Sequence, residues 1–139
     1  MGLAASAQEA TDKRPATPKL AFIAPPRDYR AADGRTVIAS DIDLNVRILS
    51  MGKLHHAMTG TGAVALAAAA AIPGTVVRRC AQPDALGRLR FGHPSGTMTV
   101  SAAAEQREGR WCVVYAGMSR SARRLMEGMV LIPEPDVRP

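Results

Sequence analysis

Aromatic residues are scarce in this 139-residue chain: two Phe, two Tyr and one Trp make up 4% of it. An interior must then be built from Ala, Val, Leu, Ile and Met, and a base-stacking surface for single-stranded nucleic acid has few side chains to draw on. Cysteine is nearly absent. Cys80 and Cys112 show no CxxC spacing and no His pair at ligand spacing, which argues against a zinc site or a disulfide framework. Long apolar runs are missing too, and Val64 to Ile72 is too short to span a bilayer. The opening MGLAASAQEA has small residues like a signal-peptidase site but neither the basic start nor the apolar core of an export signal, so a cytoplasmic location is expected.

What is present points to one globular domain. Hydrophobic residues are 47% and charged residues 22%, ordinary values for a folded chain of this length. A net charge of +6 and a pI near 10.1 favour acidic partners. The arginines are scattered as pairs (Arg78-Arg79, Arg123-Arg124) and single sites, without a long basic run, so nucleic acid is disfavoured and small polycarboxylates fit better.

The most informative stretch is Asp43 to Ile72. Leu44, Val46 and Ile48 alternate with Asp43, Asn45 and Arg47, the period of a strand with one buried face. A Gly/Thr/His loop leads from it into an uncharged Ala-rich helix over residues 62–72, stopped by Pro73-Gly74. A helix apolar all round needs cover all round. Its first turn opens into the loop Gly52 to Thr61, where free N–H groups and the positive helix end favour a carboxylate or phosphate. Thr59 and Thr61 equally suit a purely structural role as N-caps. TGTG lacks the Lys of a phosphate-binding P-loop and the full glycine set of a dinucleotide fingerprint.

The rest reads as short strands and turns. Residues 1–18 look like a loose lead-in with no trusted element, and residues 133–139 like a frayed end. Strands are expected at Leu20 to Ala24, ended by Pro25-Pro26, and at Thr36 to Ala39 after a turn at Asp33-Gly34. Thr75 to Arg78 reads as a β-branched strand. Arg88 to Phe91 and Thr97 to Val100 flank the turn GHPSG, where His93 and Ser95 suit turn structure better than chemistry. Trp111 to Ala116 reads as a strand buried on both faces, Ser119 to Met126 as a helical turn, and Met129 to Ile132 as a last strand. The sum is an α+β domain over residues 19–132, a curved mixed sheet around one central buried Ala-rich helix.

PKLAFIAPPRDY (Pro18 to Tyr29), DIDLNVRILSMGKLHHA (Asp41 to Ala57), the TG-A-helix-IPGT run ending at Thr75, GHPSG (Gly92 to Gly96) and SRSARRLMEG (Ser119 to Gly128) together resemble the PrpF family. That family comprises 2-methylaconitate cis/trans isomerases and oxalomesaconate tautomerases, with a diaminopimelate epimerase-like fold. The resemblance implies two similar halves with substrate in the cleft between their helix N-termini, this chain being the C-terminal half.

It implies a reaction on an aconitate-like tricarboxylate by proton transfer and double-bond isomerisation, with no metal or organic cofactor. The acid/base Lys and Cys of the isomerases belong to the other half. Where the wider epimerase group has a Cys at the helix mouth, this chain has Met58 or Thr59. Carried over residue by residue, Lys19, Ser50, Met51, His55, Thr59, Gly60 and Thr61 face the cleft and hold substrate carboxylates. His55 is also a weak proton-transfer candidate, His56 is expected to face away, and Arg120, Arg123 and Arg124 suit packing or surface roles better.

Implied partners are a small tricarboxylate, a separate N-terminal-half chain and further copies of the chain; a membrane is not among them. A non-catalytic carboxylate-binding module, or the remnant of a truncated gene, is the alternative.

Overall fold

A computed structural model describes residue 2 and residues 4–81, 83–120 and 122–131. Helix α1 (Ala7–Lys13) precedes strands β1 (Leu20–Ala24), β2 (Tyr29–Arg30) and β3 (Thr36–Val37), a 3-10 turn (Ala39–Asp41), β4 (Leu44–Ser50) and β5 (Lys53–Leu54). Helices α2 (Gly60–Ala71) and α3 (Val76–Cys80) follow, then β6 (Arg88–His93), β7 (Gly96–Arg107) and β8 (Arg110–Met118).

The main sheet runs β1-β4-β6-β7-β8, with β5 paired to β4 and a separate β2-β3 hairpin. It is mixed: β4 and β6 are parallel, joined through α2 and α3, and the other neighbours are antiparallel. A parallel pair needs such a long crossover, which lays the helices on one face of the sheet.

Alternation in β4 decides that face. Leu44, Val46 and Ile48 are buried and meet Leu89 and Phe91 of β6 and Val100 and Ala102 of β7. Against them α2 lays Ala63, Leu66, Ala67 and Ala70, spaced as one helical stripe. Each large side chain so buried is worth about 1.5–3 kcal/mol, and the alanines let helix and sheet approach closely. The opposite flank of α2 is less covered, with Thr61 and Ala65 exposed, so the cover is not all-round.

The two ends of α2 differ. At its C-terminus Thr75 Oγ1 donates to Ala69 O at 2.5 Å, and Arg78 Nη1 donates to Ala70 O at 3.3 Å. Orphan carbonyls are thus satisfied, with a cation at the negative end of the helix dipole. At the N-terminus Thr59 Oγ1 accepts from Gly62 N at 3.2 Å. No other described residue accepts from the N–H groups of Gly60 or Thr61.

Several expectations change. The lead-in holds α1, capped by Ser6 and burying no residue. Thr75–Arg78 is helix rather than strand, because Thr75 Oγ1 caps Arg78 N at 3.1 Å and starts α3 despite the β-branched composition. Strand β8 is an exposed edge, not a doubly buried strand: Trp111 is 42% and Tyr115 56% exposed. Its apolar pattern is the same in both settings, so pattern cannot distinguish them. Residues 119, 120 and 122–131 form neither the expected helical turn nor a strand, and Ile132 and residues 133–139 lie outside the described residues.

Candidate functional site

The loop from Ser50 to Gly60 carries the chain from the end of β4 to the mouth of α2. Strands β4 and β5 join through Met51 and Gly52, both at positive φ (54° and 72°), as in the tight I′ hairpin turn. Met51 is therefore a turn residue, 65% exposed, and with Gly52 it borders a hollow against Ala10, Thr11 and Arg14.

The same turn sets Lys53 directly across from Ser50. On the other side, Leu20 faces Leu49, so the β1 register carried one residue back sets Lys19 across from Ser50. Directly opposed residues share a face, and Ser50 continues the Leu44, Val46, Ile48 face. Lys19, Ser50 and Lys53 therefore line one end of the face that α2 covers. Among the described residues, Lys19 Nζ hydrogen-bonds Ala16 O alone, at 3.4 Å.

His55 follows, its N–H donating to Ile48 O at 2.8 Å. His55 Nδ1 lies 2.6 Å from Ala57 O and 3.3 Å from Ala57 N, and one tautomer cannot serve both. With its proton on Nδ1 the ring donates to Ala57 O, and with its proton on Nε2 it accepts from Ala57 N–H. His56 does not face away: the two rings stack at 5.1 Å. His56 O accepts from Ser95 Oγ, tying the turn after β6 to this loop.

Met58 is buried under the first turn of α2. Thr59 is the N-cap, the structural alternative weighed above, whereas Thr61 caps nothing and is exposed. Over Gly60 stand Met118 and Arg120. A Cβ on Gly60 would lie 3.1 Å from Met118 Cε and 3.5 Å from Arg120 Nη1. A guanidinium thus sits at the positive end of a helix, which is unfavourable unless an anion joins them.

Among the described residues, Lys19, Lys53 and Arg120 form no ion pair. Lys53 and Arg120 were not among the residues singled out as substrate-binding. Lys53 reaches its place only through the Met51-Gly52 turn. Arg120 gets there because β8 delivers the chain to the mouth of α2, a long-range event with no local signal.

His93 is 7% exposed on the covered face of β6, and its Nδ1 accepts from Ser95 N at 3.2 Å. Burial, and secondarily Arg47, holds its imidazole below the usual value. The turn role expected of His93 and Ser95 is the one they play. Tyr29 Oη reaches His93 O (2.9 Å) and Gly96 O (2.5 Å), with Arg47 stacked 4.9 Å from its ring centre. Burial raises the Tyr29 phenol, against the opposing charge of Arg47.

A hollow of about 430 Å³ lies on the other face of the sheet, lined by Asp43, Asp84, Arg88, Arg90 and Thr99. Its arginines are already paired, Arg90 with Asp43 at 2.8 Å and Arg88 with Asp84 at 2.7 Å, so it offers an anion little. Cys80 and Cys112 sit in α3 and β8, away from the helix mouth. No cluster of three or more metal-ligating side chains occurs among the described residues. No helix among them is long and apolar enough to cross a membrane.

A mixed, curved sheet covered on one face by an Ala-rich helix, whose N-terminus opens beside cations that form no ion pair among the described residues, defines an α+β half-barrel. The comparisons agree. The family described as PrpF protein matches residues 1–133, and this chain belongs to it. The chain is 57% identical over 135 residues to a 2-methyl-aconitate isomerase of Shewanella oneidensis, covering 97% of the chain and 34% of that protein. With a 3-methylitaconate isomerase of Eubacterium barkeri it shares 37% identity over 134 residues, 95% of the chain and 34% of that protein. The crystal structure of a methylitaconate-delta-isomerase superimposes with a TM-score of 0.76 at 37% identity, covering 93% of this chain and 33% of that one. The chain therefore spans about a third of the length of these relatives.

Proposed function

We propose that this chain supplies a carboxylate-binding part of a PrpF-family isomerase that acts on an aconitate-like tricarboxylate by proton transfer and double-bond isomerisation. One observation carries the reading: Arg120, with no acidic partner among the described residues, stands over the open first turn of α2. A carboxylate between them would accept from the Gly60 and Thr61 N–H groups and the guanidinium together. Lys19, Ser50 and Lys53 would take a second carboxylate, with the His55 ring beside them. Such donors also stabilise the negative charge that develops when a proton leaves the carbon next to a carboxylate. Met51 serves as the turn that presents Lys53.

The proton-transferring groups are assigned to the remainder of the family length, outside these residues. The chain alone binds and does not turn over. Without that remainder, the exposed apolar residues Trp111, Val113, Val114 and Tyr115 on edge strand β8 favour association between copies.

The test is calorimetric titration of the chain with trans-aconitate, tricarballylate and acetate. Tricarboxylates should bind with Kd of order millimolar, and Arg120→Gln and Lys53→Gln should each weaken binding at least about tenfold. Tricarboxylates binding no better than acetate, or variants binding like the parent, would refute the site. Isomerisation by the chain alone would refute the placement of the proton-transferring groups elsewhere.

A further inference from the structure

We infer that Ser95 is a positioning residue, whose hydroxyl fixes the spacing between the two carboxylate subsites proposed above; the inference rests on that reading of the site. The loop that separates those subsites is thinly held. Lys53, Leu54 and His56 are exposed, and Met58 is the first side chain after the Met51-Gly52 turn to be buried. Main-chain bonds hold the start of the loop: Lys53 and Leu54 pair with Ser50 and Leu49, and His55 N–H donates to Ile48 O at 2.8 Å. From there to the Thr59 cap, one hydrogen bond from outside the loop remains among the described residues, Ser95 Oγ donating to His56 O. His56 stands midway between Lys53 of one subsite and Thr59 at the mouth of α2.

Ser95 itself is firmly mounted. Its turn closes the β6-β7 hairpin, where His93 pairs with Gly96, and Ser95 N–H donates to His93 Nδ1 at 3.2 Å. Ala32 N–H donates to Pro94 O at 2.7 Å and Arg47 Nη1 to Gly92 O at 3.4 Å, while Tyr29 Oη lies 2.9 Å from His93 O and 2.5 Å from Gly96 O. Bonds from β4 and from the β2-β3 hairpin thus converge on this turn and fasten it to the sheet. The Ser95 hydroxyl passes that fixed position on to the loop. A ligand that grips both subsites needs Lys53 and the first turn of α2 at one separation, and a loop already ordered there spares it the entropy of ordering. A ligand that fills one subsite does not feel the spacing.

The test compares Ser95→Ala and Ser95→Thr with the parent chain. Calorimetric titration with tricarballylate should give a Kd about three- to tenfold higher for Ser95→Ala, the worth of one hydrogen bond. Ser95→Thr keeps the hydroxyl at an exposed position and should bind within about twofold of the parent. Acetate, followed through the amide signals of Gly60 and Thr61, should bind all three chains alike within about twofold. The His55 amide should exchange at least about threefold faster in Ser95→Ala, with Ala67 inside α2 changed by less than about twofold. Ser95→Ala binding tricarballylate like the parent, Ser95→Thr failing to restore it, or acetate weakened as much as tricarballylate would overturn the inference. So would equal acceleration at His55 and Ala67, which would make Ser95 a support of the whole domain. A parent chain that binds no tricarballylate overturns the carboxylate site and the spacing with it; His55 exchange then decides separately whether Ser95 orders the loop, and an unaltered rate overturns that too.

Discussion

Replacing Gly62 by Ala pits two effects of opposite sign against each other, and the packing at the mouth of α2 decides between them. In an open helix the change would stabilise by up to about 1 kcal/mol, since Ala is the better helix former. Here a Cβ would lie 2.6 Å from Thr59 Oγ1, 2.8 Å from Ile48 Cδ1 and 3.2 Å from Met58 Cε. Met58 can yield at its flexible end. Thr59 can yield only by turning its hydroxyl away from Gly62 N, which forfeits a cap worth about 1 kcal/mol. Ile48 lies in the buried row of β4, where forced overpacking costs about 1–3 kcal/mol.

The net is a loss of about 1–3 kcal/mol, or a Tm lowered by roughly 3–9 °C for a chain of this size. Thermal unfolding followed by far-ultraviolet circular dichroism measures it. Gly60→Ala is the control: its Cβ would press mainly on the flexible end of Met118, so stability should stay within about 0.5 kcal/mol of the parent. A Gly62→Ala chain as stable as the parent, or more so, would refute the close packing of the first turn against Thr59 and Ile48.

Met51→Asn should stabilise by about 0.5–1 kcal/mol in denaturant titration, because Met51 sits at φ 54°, where Asn is far better tolerated; an unchanged or lower midpoint would show that the I′ turn is not the native one. His93 makes stability pH-dependent in a defined window. Its folded value is depressed below the ordinary 6.5, so the unfolded chain binds the proton more readily. The stability it contributes is complete above about pH 6.5 and falls as pH drops toward the folded value. His93→Gln should flatten that fall in urea midpoints taken across the window. An equally steep fall in the variant would place its cause elsewhere.

The local features were legible wherever one short stretch held the whole cause. Leu44, Val46 and Ile48 declare the buried face of β4 by period alone, and it is the face that meets α2. Asp33-Gly34 turns the β2-β3 hairpin, with Gly34 at φ 85°. The end of α2 at Pro73-Gly74 was equally plain. The Thr75 reading failed for a local reason: a capping hydroxyl outweighed the β-branched residues after it.

The candidate site was half legible. Thr59, Gly60 and His55 lie at the helix mouth as their order along the loop suggests. Lys53 and Arg120 could not be placed that way, one depending on an uncommon Met at positive φ and the other on where β8 ends.

By itself, then, the amino-acid order determined the buried face of β4, the β2-β3 turn and the end of α2, each of which depends on neighbours a few residues apart, together with the basic balance and the family pattern. Only the tertiary structure decided that β8 is an edge, that Arg120 stands over Gly60, and that the stretch after Met118 finds no cover in its own domain. Those outcomes depend on which distant segments share a surface, and an apolar residue reads the same whether its partner is present or supplied by another polypeptide.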